Sequence, residues 1–295
     1  MKKTLIALAA VAVTGVASAQ VTLSGQLAYA WESTSSAAAT SVKTSGLGVT
    51  DGNLTFKASE DLGGGMKVKA SMFIDNLVEG SQANGGNVAL GLTGGFGSIQ
   101  MSSAETGDFL PIDGLTTMSQ GTDADRISYT LPAMVLGLTL NITTQDGTSV
   151  IGGDTRGESA TTYAANYTTG PMSVDVLYAD FVTASVDNRT GFKATYDLGM
   201  AKVSYGQLKH NVVAANSDVI ETGFTVGTTV ANFALAVNRS TSKTGTAAKR
   251  TGNSFSASYP LSKRTSVSYY SESYLGAIGD VSNIKESALL LNHSF

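Results

Sequence analysis

Cysteine is absent from the 295-residue chain, and histidine occurs only as His210 and His293. Disulfide scaffolds and zinc sites built from cysteine are therefore excluded, and a multi-histidine metal centre is not expected. Charged residues make up only 14% of the chain and hydrophobic residues 42%, which excludes a disordered polypeptide. The formal net charge of −4 argues against general nucleic-acid binding. We expect neither a metal ion nor a cofactor.

The first apolar run is too short to cross a membrane as a helix, and it has the layout of an export signal. Lys2 and Lys3 precede apolar residues over 5–13, and Ala17-Ser18-Ala19 forms a small-x-small cleavage site. A membrane-spanning helix needs about 20 apolar residues. We therefore predict a signal peptide over 1–19 and a single mature domain over 20–295.

Hydrophobic residues after position 20 recur at every second position. Over 21–31 the odd positions are almost wholly apolar, and the even positions are polar or small. Residues 66–75 repeat this pattern, with Lys67 and Lys69 on the polar face. A period of two indicates β-strands, and helical spacing fits neither segment. Strands with one apolar and one polar face fit a membrane barrel, in which alternate residues contact lipid.

The same test predicts sixteen strands, joined by connections that alternate between short and long. Tight turns at one end and longer loops at the other are typical of bacterial outer-membrane barrels. We therefore predict an all-β fold, a 16-stranded antiparallel transmembrane β-barrel with short periplasmic turns and longer extracellular loops. The predicted strands span 20–32, 47–59, 66–75, 87–94, 97–103, 126–132, 137–144, 160–168, 172–181, 189–197, 200–209, 219–227, 231–239, 252–259, 264–272 and 286–295.

Single aromatic residues near the predicted strand ends form two groups. Those toward the loop end are Trp31 and Tyr178, and those toward the turn end are Tyr167, Tyr196, Tyr259 and Phe295. Two aromatic belts fit the two interfaces of a membrane. A secreted all-β sandwich or adhesin is the alternative, because its strands also alternate between apolar and polar residues.

Four segments carry a resemblance to a known family. Residues 52–68, with the sequence GNLTFKASEDLGGGMKV, resemble the second hairpin of the general trimeric porins of Gram-negative bacteria, of the neisserial and β-proteobacterial type. Residues 90–99 are similar to the hairpin before the third loop of that family, and residues 125–137 to the strand and turn after it. Residues 289–295 resemble its closing strand. The resemblance implies that the barrel-assembly machinery reads an assembly signal formed by Leu289, Leu291, His293 and Phe295.

The resemblance implies a homotrimer in the bacterial outer membrane, surrounded by lipids and lipopolysaccharide. Such porins are not enzymes, and they pass ions and small hydrophilic solutes by diffusion. A sixteen-stranded barrel is too wide for its own side chains to fill, so its lumen holds water. His210, with Asp218 and Glu221 nearby in sequence, is interpreted as a solvated rim residue rather than a catalytic base. A substrate-preferring channel remains an alternative.

In this family the third long loop folds inward and narrows the channel, and the corresponding segment here spans about 104–125. This segment contains acidic residues and no basic residue. An acidic loop that faces a basic wall would create a transverse field that sorts ions, with the sign of the preference left open. The predicted constriction combines the acidic Glu105, Asp108, Asp113, Asp123 and Asp125 with the inward-facing Lys57, Lys67, Lys69, Arg126, Lys193 and Lys202.

Overall fold

A computed structural model describes residues 20–36, 42–112, 115–116, 123–147, 159–182, 186–275 and 283–295. The predicted signal peptide over 1–19 lies outside this part of the chain. Sixteen antiparallel strands pair in chain order, and the last strand pairs with the first, so the sheet closes into a barrel. The predicted fold is confirmed, and the two-sheet sandwich is wrong. No helix in the described ranges is long and apolar enough to cross a membrane.

The strands are 8 to 22 residues long and follow one another up and down around the barrel. They are β1 (Gln20–Ser36), β2 (Val42–Gly63), β3 (Met66–Asp75), β4 (Asn84–Gly94), β5 (Gly97–Glu105), β6 (Asp123–Thr130), β7 (Leu138–Asp146), β8 (Ala160–Thr169), β9 (Met172–Phe181), β10 (Val186–Asp197), β11 (Ala201–Val212), β12 (Val219–Val230), β13 (Phe233–Thr244), β14 (Arg250–Pro260), β15 (Thr265–Leu275) and β16 (Asn283–Ser294).

The first hairpin is longer than the sequence predicts. The predicted loop over 33–46 contains paired residues, including Ser33 with Ser45 and Thr34 with Thr44. Their Ser and Thr content suggests a loop, but β-branched Thr also fits a pleated strand. The loop end of the barrel, defined as the end that carries this hairpin tip, therefore extends further than predicted. The opposite end, which carries the short turn at 64–65, is the turn end.

Alternate side chains point to opposite faces of the sheet, and the two faces meet different surroundings. Phe56 pairs with Met72 on the outer face, and the adjacent pair of Lys57 and Ser71 faces the lumen. Apolar side chains remain uncovered on the outside, and Leu23 is 59% exposed. Because lipid rather than water covers such a band, this pattern identifies the outer face as the membrane-facing one.

The last residue closes the seam between the two ends of the chain. Phe295 and Gly25 exchange two backbone hydrogen bonds, each 3.0 Å long. A Cβ atom on Gly25 would lie 2.4 Å from Cζ of the Phe295 ring. The same Cβ atom would lie 2.8 Å from the Asn53 carbonyl oxygen, so a larger residue here would displace the backbone of β2 as well as the terminal ring.

Candidate functional site

The third long loop, between β5 and β6, folds into the lumen of the barrel. Its described residues, 106–112 and 115–116, include three large apolar side chains that are buried. Leu110 is 2% exposed, Ile112 5% and Leu115 0%. These side chains turn away from the water of the lumen, and each buried leucine contributes about 1.5–3 kcal/mol.

The loop lies on a row of small residues in the facing wall. Gly206, Gly223, Ser240 and Gly252 stand side by side in register on the neighbouring strands β11, β12, β13 and β14. We call these four residues the loop seat. A Cβ atom on Gly223 would lie 2.5 Å from Cδ of Pro111. The missing side chains thus allow the loop to approach the backbone of the wall.

Apolar contacts extend the loop seat toward β10. A Cβ atom on Gly191 would lie 3.2 Å from Cε1 of Phe109 and 2.8 Å from Cδ1 of Leu208. Leu208 points into the lumen but is only 1% exposed. A lumen-facing leucine is unfavourable in contact with water, so its burial requires the loop to be in place. The loop and the wall therefore share a small hydrophobic core inside the barrel.

Polar contacts fix the path of the loop. The Thr116 hydroxyl donates hydrogen bonds to the carbonyl oxygens of Ile112, at 2.9 Å, and Pro111, at 3.1 Å. Ser240 of the seat donates to the same Pro111 carbonyl. The Lys193 ammonium lies 5.0 Å from the centre of the Phe109 ring and donates to the Phe109 carbonyl at 3.5 Å. The Lys193 side chain therefore extends from the wall to the loop and contacts it, rather than facing open solvent.

Arg126 lies at the base of the loop. Its guanidinium donates to the carbonyl oxygens of Ala104 and Ala124, and the residue is only 7% exposed. The side chain therefore links the two strands that carry the loop. Arg126 has the inward parity that the sequence predicts, but its contacts favour a structural role over a solute-facing one.

Three of the five predicted constriction acids lie away from the lumen. Glu105 pairs with Asp123, and Asp125 pairs with Ser103. These pairs have the same parity as Met101 and Ile127, which are exposed on the outer face at 49% and 58%. The sequence predicts that these acids are loop residues, whereas in the structure they belong to the paired ends of β5 and β6. This placement corrects the predicted acidic side of the constriction.

Of the two other predicted acids, the structure describes only Asp108. Asp108 is exposed at the start of the loop and borders a recess of about 370 Å³ shared with Asp175 and Lys193. Asp113 lies outside the described residues. The acidic character of the loop in the lumen therefore depends on fewer groups than predicted.

The predicted basic residues separate into engaged and open groups. Lys202 forms an ion pair with Asp197 at 3.6 Å near the turn end. Lys57, Lys67 and Lys69 are exposed at lumen-facing positions of β2 and β3. In a closed sixteen-stranded barrel, β2 and β3 stand across the lumen from β10 and β11. These three lysines therefore face the wall that carries the loop.

The predicted constriction does not include a further group of lumen-facing acids. Glu272 of β15 pairs with Glu286 of β16. At the next lumen-facing position of β16, Ala288 pairs with Glu32 of β1 on one side and with Tyr270 of β15 on the other. The three carboxylates and Tyr270 thus occupy neighbouring lumen-facing positions of β1, β15 and β16. They lie toward the loop end of β1, β15 and β16. Their inward parity was available in the sequence, but each stood at the end of a predicted strand.

The predicted interface aromatics lie on the outer face of the barrel. Exposed fractions are 45% for Trp31, 42% for Tyr178, 40% for Tyr167, 47% for Tyr196 and 51% for Phe295, and the ring of Tyr259 packs 4.8 Å from that of Phe233. The residues of the predicted assembly signal share the outer face of β16. Leu289 pairs with Trp31, and His293 accepts or donates a 2.9 Å hydrogen bond with Thr265.

His210 lies on the lumen side of β11 and is buried. The Nε–H of Arg189 donates to Nδ1 of His210 at 3.3 Å. Asp218, in the following loop, accepts from the Val212 amide at 3.1 Å and forms a 3.2 Å ion pair with Lys209. The Val212 amide and the Lys209 ammonium hold the pKa of Asp218 below its usual value. The rim position of His210 is as predicted, but the side chain is enclosed rather than solvated.

Comparison with known proteins agrees with this architecture. A model of the Gram-negative porin family matches residues 4–274. The chain therefore belongs to the Gram-negative porin family, and this membership places it in the outer membrane. The resemblance noted in the sequence is confirmed.

Individual relatives are distant. The major outer membrane protein P.IB of Neisseria meningitidis serogroup B is 36% identical over 127 residues, a match that covers 38% of each protein. The anion-selective porin from Comamonas acidovorans has a TM-score of 0.76 at 17% identity, over 94% of this chain and 100% of that one. OmpF of Salmonella typhi, in complex with daunomycin, has a TM-score of 0.72 at 12% identity, over 94% and 98%. The solved structures thus share the fold.

Proposed function

We propose that the protein forms a water-filled channel through which ions and small hydrophilic solutes diffuse across the outer membrane. The observation that carries this proposal is the inward-folded loop. A barrel of sixteen strands has an aqueous lumen, and the described residues of the loop lie against the wall formed by β10–β14. This part of the loop therefore narrows the channel from the side of β10–β14.

The charges of the lumen support a revised account of ion selectivity. The open lysines, Lys57, Lys67 and Lys69, lie toward the turn end. The carboxylates of Glu32, Glu272 and Glu286 lie toward the loop end, and Asp108 lies at the start of the loop itself. We propose that an ion passes an acidic outer vestibule, then the loop, and then a basic inner vestibule. Charges that line a narrow aqueous path set its ion preference.

The proposal includes assembly into a homotrimer surrounded by outer-membrane lipids and lipopolysaccharide. One structural neighbour, OmpT of Vibrio cholerae, is described in a trimer form and has a TM-score of 0.66 over 94% of this chain. The outer face of β16, with Leu289, Leu291, His293 and Phe295, is proposed as the surface that the barrel-assembly machinery reads.

Single-channel recording in a planar bilayer tests the proposal. We expect conductance steps grouped in threes, and a reversal potential in a salt gradient that moves toward anion preference in Glu272→Gln/Glu286→Gln. Asp108→Asn/Asp113→Asn should move it in the same direction if the loop acids line the constriction. Asp180→Asn, on the outer parity of β9, is the control and should leave the reversal potential unchanged. No conductance from folded, membrane-inserted protein would contradict the channel function.

A further inference from the structure

A second feature of the lumen lies on the wall opposite the loop seat. Strands β1–β5 enclose a recess of about 550 Å³ toward the turn end. Its lumen-facing lining consists of hydroxyl and amide side chains, two lysines and small residues. Lys57 and Lys69 are the two lysines, and both are exposed to the recess. The recess is therefore polar and positively charged.

The ammonium groups of Lys57 and Lys69 line the same recess. Lys57 pairs with Ser71, and Lys69 pairs with Ser59, so the lysines are diagonal neighbours on the same face. Cα atoms at such positions are about 7–8 Å apart, within the reach of long side chains. Within the described ranges, neither lysine has an ion pair. Their mutual repulsion is therefore not offset by a carboxylate.

Neighbouring groups complete a cradle for an anion. The hydroxyls of Ser59 and Ser71 flank the lysines, and Gln100 supplies an amide from β5. Ala89 and Gly91 form the floor on β4, where their small size leaves room for a solute. Ammonium and hydroxyl donors around a concave space match the acceptor-rich surface of an oxyanion.

Other charged groups lie at the borders of the recess. Toward the turn end, Lys67 stands opposite Asp61 in the register of β2 and β3, so a carboxylate accompanies this lysine. Toward the loop end, Asp51 accepts hydrogen bonds from Gln26 and Asn53, both at 2.8 Å. The net positive charge is thus concentrated at Lys57 and Lys69.

We infer that this recess binds solutes carrying a doubly negative oxyanion group, such as inorganic phosphate or a small dicarboxylate, during their passage. The inference rests on the proposed channel function, and it adds a solute class and a second location to it. Because the recess lies across the lumen from the loop seat, the site is separate from the loop seat.

Calorimetric titration of the folded full-length protein in detergent tests the inference without requiring conduction. The probes are inorganic phosphate and succinate, with chloride as the monovalent control. We expect saturable binding of one doubly charged anion per chain. Lys57→Gln/Lys69→Gln should weaken it by about tenfold or more, because two charge-assisted hydrogen bonds are lost. The stronger of the two anions would identify the oxyanion class.

Matched variants distinguish binding at a local site from attraction by the overall electrostatic field of the lumen. Lys67→Gln/Lys202→Gln removes the same charge from the same end and should weaken binding by only about twofold, through the loss of long-range attraction. Lys57→Arg/Lys69→Arg keeps the donors and should retain binding. Circular dichroism confirms that each variant is folded. Equal weakening by both glutamine pairs, or no saturable binding to the unmodified protein, would overturn the inference.

Conductance recordings distinguish failure of the site from failure of the channel. Phosphate added to a chloride solution should reduce the single-channel current of the unmodified protein and of Lys67→Gln/Lys202→Gln, but not that of Lys57→Gln/Lys69→Gln. Conduction without phosphate binding would overturn the site alone. Phosphate binding without conduction would support the site and contradict the proposed function.

Discussion

The two walls of the lumen differ in the size of the residues that face inward. On β11–β14 the wall presents Gly206, Gly223, Ser240 and Gly252, and the loop covers them. On β2 and β3 the wall presents exposed lysines, and the described residues of the loop do not cover them. The comparison shows how a barrel too wide to fill its lumen can narrow it. Small residues on one wall allow an apolar loop to settle there, and charged residues remain exposed on the other.

The largest effect is expected from filling the loop seat. Gly223→Val places a branched side chain where a Cβ atom alone would lie 2.5 Å from Pro111. Overpacking of this kind costs about 1–3 kcal/mol, which shifts the loop away from the wall. We expect altered single-channel conductance and a noisier open state, recorded in a planar bilayer.

The matched control is the same substitution on the open wall. Gly91 on β4 also faces the lumen, and the nearest atom to an added Cβ is the Ile99 carbonyl oxygen at 3.7 Å. Gly91→Val should therefore fold normally and keep a quiet open state. Equal current noise from Gly223→Val and Gly91→Val would contradict the distinction between the covered and the open wall.

A smaller effect is expected from the charges of the open wall. Lys57→Gln/Lys69→Gln should shift the reversal potential toward cation preference. A unit charge 10 Å from an ion in water contributes about 0.4 kcal/mol, which changes the local anion concentration about twofold per lysine. The measurement is the zero-current potential in a potassium chloride gradient. An unchanged potential would show that these lysines lie outside the ion path.

The smallest effect is expected from a substitution of Lys193, the wall lysine that contacts the loop. Lys193→Met removes the cation from the Phe109 ring, a contact worth about 0.5–1 kcal/mol. We expect slightly more frequent brief current fluctuations with little change in selectivity. Lys193→Arg keeps a cation over the ring and should restore quiet conduction. A selectivity change as large as that of the Lys57 and Lys69 pair would instead place Lys193 in the ion path.

The barrel was predictable from the sequence because its signal is local. The alternation over 21–31 and 66–75 marks strands with one lipid-facing side, and the turn at 64–65 falls between two such strands. Strand ends were harder to predict, because Ser and Thr occur both in loops and in the paired ends of long hairpins. The error at Glu105, Asp123 and Asp125 has this origin.

The loop seat was not predictable in the same way, because its members are distant in the sequence. Gly206, Gly223 and Gly252 come from three strands, and they contact a loop that precedes them by about a hundred residues. A single glycine in a strand does not reveal what approaches its backbone. Alignment of the four strands β11–β14 in register is needed before the row appears.

Thiol labelling of single cysteines tests the central claim most directly, because the natural chain contains no cysteine. Ser240→Cys lies beneath the loop at a position that is 0% exposed, and Ser71→Cys lies on the open wall. A charged, water-soluble thiol reagent is added to the folded channel, and current and labelling are followed over time. We predict that Ser71→Cys reacts with a change in current and that Ser240→Cys remains unlabelled. Rapid labelling of Ser240→Cys would contradict a loop held against β11–β14.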